Sequence, residues 1–187
     1  MSENLRRYTK ALYAMDAVVR RVPEGAWDQQ SPCTEWTARQ VVGHVTHGSR
    51  TLLAGITGGT PPPEDQDLAQ VAGADPCATI GECMDYCLAA LDQPGVLAKT
   101  IQSPMGEMTV DQFLGVMTAD AFTHTWDVAC AAGIDHGMDD GMATTILGHL
   151  TPMDAMLRGS GMFEPAIEVP ADADPVTKLM GFLGRSE

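Results

Sequence analysis

The sequence predicts an all-α protein, a helical bundle with one short extended element and a small C-terminal helix. Apolar residues recur at three- and four-residue steps through four long stretches, and helix-start signatures stand ahead of three of them. Runs with strand character are confined to two short places, near residues 100–108 and 166–169.

The first helix is predicted over about residues 5–22. Leu5, Leu12, Met15 and Val19 share one face there, and Pro23 with Gly25 stops the run. A punctuated loop, Ser31-Pro32-Cys33-Thr34-Glu35-Trp36, comes next. Thr37 and Gln40 then have the spacing of a capping box, in which each side chain satisfies a backbone N–H that the first turn leaves open. The second helix starts there, carries Val41, Val42, Val45, Leu52, Leu53 and Ile56, and ends at Gly58-Gly59-Thr60-Pro61-Pro62-Pro63. The acidic connection beyond it reads as a mobile loop.

Asp75 and Pro76 supply a cap and a favoured first-turn residue for a third helix through Ile80, Met84, Cys87, Leu88 and Leu91, which ends near Pro94-Gly95. Residues 100–108, interrupted by Pro104 and Gly106, suit an extended crossover or a small hairpin. Thr109 and Gln112 repeat the capping-box spacing ahead of a fourth helix over about residues 110–132, and Gly133 follows as its C-terminal cap. A fifth run, about residues 140–157, is expected to kink at Pro152. The tail alternates through Ala166-Ile167-Glu168-Val169, and Asp174-Pro175 opens a last short helix that ends at Gly184.

With 187 residues, 44% of them apolar, the chain is read as one domain over residues 1–187. A formal charge of −14, spread along the sequence, repels nucleic acid and anionic membrane surfaces and leaves small molecules as the expected partners. No apolar stretch approaches the ~20 residues of a bilayer span, and no basic region precedes an apolar run, so the protein is expected to be soluble and cytoplasmic. Five cysteines without Cys-x-x-Cys spacing are expected to be reduced. Cys83 and Cys87, four apart on a helix, have the spacing to donate to a soft metal, but packing as small hydrophobes is the favoured reading.

The chemistry concentrates in the fourth helix. His124 follows Asp120 by four residues and precedes Asp127 by three, on a face that also carries Leu114, Met117, Ala121 and Val128. Charged groups in an apolar stripe are costly unless paired or metal-bound, and a divalent cation is the simplest reason to place them there. A third ligand is sought on the second helix, where His44 flanks the apolar stripe near Gly48 and His47 lies toward the polar side. His44, Asp120 and His124 are the ligand set expected to bind zinc or a similar cation such as nickel or iron, with a position left open. Asp127 is expected to accept the other ring N–H of a ligating histidine. Trp126, Met117 and His47 are the residues expected to border the pocket. Trp27, Trp36 and Trp126 are all read first as packing elements. No catalytic residue is assigned.

These residues match a family pattern. The run Ser31-Pro32-Cys33-Thr34-Glu35-Trp36-Thr37 followed by His44, the run His124-Thr125-Trp126-Asp127-Val128-Ala129 with Gly133, and the closing Phe182-Leu183-Gly184-Arg185 resemble the actinobacterial branch of the DinB-like superfamily. That branch includes mycothiol-dependent maleylpyruvate isomerase. The resemblance implies a four-helix bundle of the up-down-down-up type with a divalent metal held by a histidine on the second helix and by an acidic residue and histidine four apart on a later one. Those roles fall on His44, Asp120 and His124, with Asp120 where the pattern has glutamate. A thiol-dependent transferase or isomerase that uses a low-molecular-weight thiol such as mycothiol on a small electrophile is the function implied. The alternatives are a non-catalytic metal- or ligand-binding stress-response protein and a metal-free structural bundle whose methionine-rich helices form a homodimer.

Overall fold

The computed structural model describes residues 1–103, 105–159 and 164–186. Pro104, part of the predicted extended segment, lies outside the described residues. The chain divides into two compact units, Met1–His136 and Gly137–Glu187.

The first unit contains α1 (Glu3–Val19), α2 (Ala38–Thr57), the short α3 (Leu68–Ala72), α4 (Pro76–Leu91) and α5 (Val110–Ala132), with a hairpin of β1 (Thr100–Ser103) and β2 (Gly106–Thr109) ahead of α5. Both capping boxes form: Thr37 with Gln40 opens α2, and Thr109 with Gln112 opens α5. Asp75 accepts from the Ala78 N–H to start α4, with Pro76 in its first turn. Gly58 and Gly133 end α2 and α5 in the left-handed conformation that a side chain would resist.

The helices form a closed ring in which α1 packs on α5, α5 on α2, α2 on α4 and α4 on α1. Individual contacts give their directions. Ser2 and Asn4, at the start of α1, hydrogen-bond the Asp111 carboxylate at the start of α5, so these two helices run parallel. Cys83 and Cys87 donate to Thr46 O and Ser49 O in matching order, which makes α2 and α4 parallel. The Cys77 thiol, at the start of α4, donates to Val19 O at the end of α1, so the two pairs oppose each other. The result is an up-down-down-up four-helix bundle, the topology that the family resemblance implies.

Its interior has two apolar clusters. One gathers Leu5, Tyr8, Leu12, Leu52, Met84, Leu91, Leu114, Met117 and Ala121, and the other Met15, Val19, Trp27, Val41, Val45, Ile80, Val128 and Ala129. His124 and Asp127 lie on α5 between Ala121 of the first cluster and Val128 of the second.

Four expectations about elements are corrected. The first helix stops at Val19, three residues early, because the Arg21 and Val22 amides turn back to Val18 O and Val19 O in i, i+3 bonds. The connection after α2 is not wholly loop. Asp67 accepts from the Ala69 N–H to cap α3, which packs on α2. The packing is close at Gly43, where a Cβ would stand 1.9 Å from Leu68 O. The fifth predicted run breaks at Pro152 into α6 (Asp140–Leu150), a tight turn over Thr151–Met153, and α7 (Asp154–Gly159).

The last correction concerns the tail. Residues 166–169 form no strand. The Ile167 N–H instead donates to Gly181 O at 2.8 Å, on α8 (Pro175–Phe182). A Cβ at Gly181 would stand 2.6 Å from Val169 Cγ1, so glycine admits this segment against the helix. Within the second unit α8 also packs on α6. Asp174 caps α8 by accepting from Thr177, and these bonds hold its carboxyl below the usual range.

Candidate metal centre

The site is built by two antiparallel helices, each begun by a capping box. On α2, His44 is presented two turns in from Thr37 and is half-buried; on α5, Asp120 is half-buried and His124 buried. The His44 Nε2 lies 3.1 Å from Asp120 Oδ1, and the His124 Nε2 lies 3.5 Å from the same oxygen. One ligand atom from each of the three residues falls within 4.8 Å of the others.

The donor set fits a divalent cation. Zinc to nitrogen or oxygen distances of about 2.0–2.1 Å in a tetrahedron imply ligand-to-ligand edges of about 3.3 Å. Two of the three edges, at 3.1 and 3.5 Å, lie near that value, and all three atoms fall within 4.8 Å of one another. Two imidazoles and one carboxylate leave room in the coordination sphere for a further ligand.

Asp127 sets the orientation of one imidazole. It is fully buried, and its Oδ2 accepts from His124 Nδ1–H at 2.8 Å. A carboxylate accepts only, so Nδ1 carries a proton, and Nε2 is the ring nitrogen turned toward Asp120.

The wall of the site is Trp36. Its ring stacks on His44 with centroids 4.4 Å apart and planes 28° apart, and it meets His124 at 5.6 Å. The two imidazoles approach edge to face at 4.8 Å. Backbone hydrogen bonds hold the residue that carries the indole. Trp36 O accepts from the Ser31 amide, the Ser31 hydroxyl and the Gln30 side chain, while the Trp36 amide donates to Cys33 O. The loop over residues 31–36 is thus a clamp that delivers one aromatic ring to the face that carries His44 and His124.

The expected pocket residues have different surroundings. Trp126 is 4% exposed, and the indole in contact with both imidazoles is that of Trp36, which the sequence assigns only to packing. His47 turns to the loop after α2, where its Nε2–H donates to Pro63 O at 2.9 Å, outside the cluster. Met117 is buried, and a Cβ at Gly48, one turn beyond His44, would stand 3.5 Å from its terminal methyl carbon. That is ordinary van der Waals contact, and the close backbone approach is instead that of Leu68 to Gly43. Trp36 was within reach of the sequence as part of the Pro-Cys-x-x-Trp run, but eight residues separate it from His44 and only the loop's fold joins them.

Among the described residues no helix is long and apolar enough to cross a membrane. No solved structure matches the chain. Two proteins of Mycobacterium tuberculosis, from strains CDC 1551 / Oshkosh and ATCC 25618 / H37Rv, are each 27% identical to it over 184 residues, which cover 97% of both chains. Both are described as uncharacterized. Residues 8–129 match the mycothiol maleylpyruvate isomerase N-terminal domain, and that span begins within α1, contains the Trp36 clamp and closes three residues before α5 ends. The bundle and its His/Asp/His cluster are therefore those of a member of the mycothiol maleylpyruvate isomerase N-terminal domain family, to which this chain belongs.

Proposed function

We propose that His44, Asp120 and His124 hold a divalent metal ion, zinc before nickel or iron, and that the protein is a thiol-dependent transferase or isomerase acting on a small electrophile. A low-molecular-weight thiol of the mycothiol type is the co-substrate in this reading, and the cytoplasm is its compartment. The observation that carries it is the convergence of three ligand atoms within 4.8 Å, one of them on an imidazole already oriented by a buried carboxylate.

A bound divalent ion lowers the pKa of a thiol or water at its open position and so supplies a nucleophile at neutral pH. The chain's own residues prepare that position. Asp127 keeps the proton on His124 Nδ1, the Asp120 carboxylate places negative charge between the two imidazoles, and Trp36 excludes water from one face of His44. A second reading has its own support. His44, Asp120, His124 and Asp127 already form a continuous polar chain, which can serve as a buried structural network without metal.

Elemental analysis of protein purified without affinity tag or chelator, beside His44→Ala and His124→Ala, tests the proposal. One ion per chain, absent from both variants while their helical circular dichroism persists, is the expected result. Metal-dependent reaction of a small thiol with a panel of electrophiles then separates an enzyme from a metal-binding protein without turnover. No metal in the wild type after reconstitution overturns the reading in favour of the structural network.

A further inference from the structure

A second cluster of ligating atoms lies on the other side of α2, against α4. Cys83 and Cys87 are 5% and 0% exposed and point together at α2, where Cys83 Sγ lies 3.7 Å from Thr46 O and Cys87 Sγ 3.3 Å from Ser49 O. Side chains four apart on a helix are neighbours, so a single atom can bridge them without unwinding α4. The surroundings are more polar than two packing cysteines need. The Ser49 hydroxyl pairs with the buried Tyr8 hydroxyl at 3.3 Å, and Thr46 Oγ1 is buried without a hydrogen-bond partner. The sulfurs also sense each other. Their contact draws the Cys83 thiol below its ordinary range and pushes Cys87 up, with burial adding to the second effect.

We propose that Cys83 and Cys87 form a vicinal-dithiol site, inside the bundle between α2 and α4, for a trivalent organoarsenical. The reaction is a ligand exchange with no change of oxidation state: R–As(OH)2 and two thiols give R–As bonded to both sulfurs and two molecules of water. Two As–S bonds form, two As–O bonds break, and both thiol protons leave in the water. The product is neutral. A monovalent soft cation on two thiolates would instead leave a net negative charge in a dry interior, within a chain that already carries −14. Burial therefore favours a ligand that cancels both thiolate charges, and an arsenical, unlike a four-coordinate zinc ion, needs no donor beyond these two sulfurs. The site is independent of the His44, Asp120 and His124 cluster.

Reduced full-length protein treated with phenylarsine oxide under native conditions tests this, with intact-mass spectrometry and thiol titration as the readouts. The expected result is one arsenical per chain with two thiols lost, and loss of that adduct in both Cys83→Ser and Cys87→Ser. It should persist in the combined Cys33→Ser, Cys77→Ser, Cys130→Ser protein. Peptide mapping of the wild-type adduct reads the same point without substitution, since the bridge must lie within the single peptide that carries both residues. Absence of an adduct on folded protein, an adduct that forms only in denaturant, or one mapped to any other cysteine overturns the proposal.

Discussion

Asp127 stands behind the three converging ligands, yet it decides which nitrogen of His124 is available. Replacing its carboxylate by an amide lets an N–H face Nδ1, which favours the tautomer protonated on Nε2, the nitrogen turned toward Asp120 that an ion would need. Asp127→Asn should therefore weaken metal affinity by about 10–100-fold, measured by competition with a chromophoric chelator. Unchanged affinity would mean that contact with the Trp36 ring, 5.6 Å away, orients the imidazole by itself. At this scale the pairing of Asp120 with His124 was legible because a helix makes four-residue spacing a statement about distance. Trp36 was not, since a loop residue has no such periodicity and its ring reaches His44 only through the carbonyl clamp at residues 30–36.

At the scale of elements, α3 is the piece whose docking can be tested most directly. Its first residue presents a carbonyl to Gly43 so closely that a methyl group there would need α3 or α2 to shift. Gly43→Ala should destabilise the bundle by about 1–3 kcal/mol in chemical denaturation. Gly115→Ala, on an exposed face of α5 with nothing near the added carbon, should instead stabilise by up to about 1 kcal/mol. Equal effects from the two would show that α3 does not pack where Gly43 places it. Long helices were legible because periodicity and capping boxes agree over many residues. The five-residue α3 has too few turns for a periodic signal, and its stability comes from packing on α2. The alternation at residues 166–169 misled for the converse reason: a strand needs a partner strand, and here the backbone bonds to a helix carbonyl at Gly181 instead.

At the scale of the whole molecule, the two compact units give metal binding a specific thermal signature. All three candidate ligands belong to Met1–His136, so ligation should raise the melting of that unit and leave Gly137–Glu187 unmoved. Zinc at about 100 times its dissociation constant should add about 2.7 kcal/mol to the first unit, read by calorimetry with and without chelator. The increment should vanish in His124→Ala; a shift that survives the substitution would place the bound ion elsewhere on this acidic chain.

The long helices, the starts of α2, α4 and α5, the acidic residue and histidine one turn apart on α5, and the resemblance that joined them to His44 could all be read from the chain without coordinates. These are local or periodic features, written in spacing and in capping residues. The convergence needed the folded molecule: that His44 meets Asp120 at 3.1 Å, that the Trp36 ring stacks on His44, and that Cys83 and Cys87 face the carbonyls of α2. Those relations depend on how ridges of one helix settle against another and where a loop's carbonyls find donors, and packing between distant segments leaves no periodic trace in the chain.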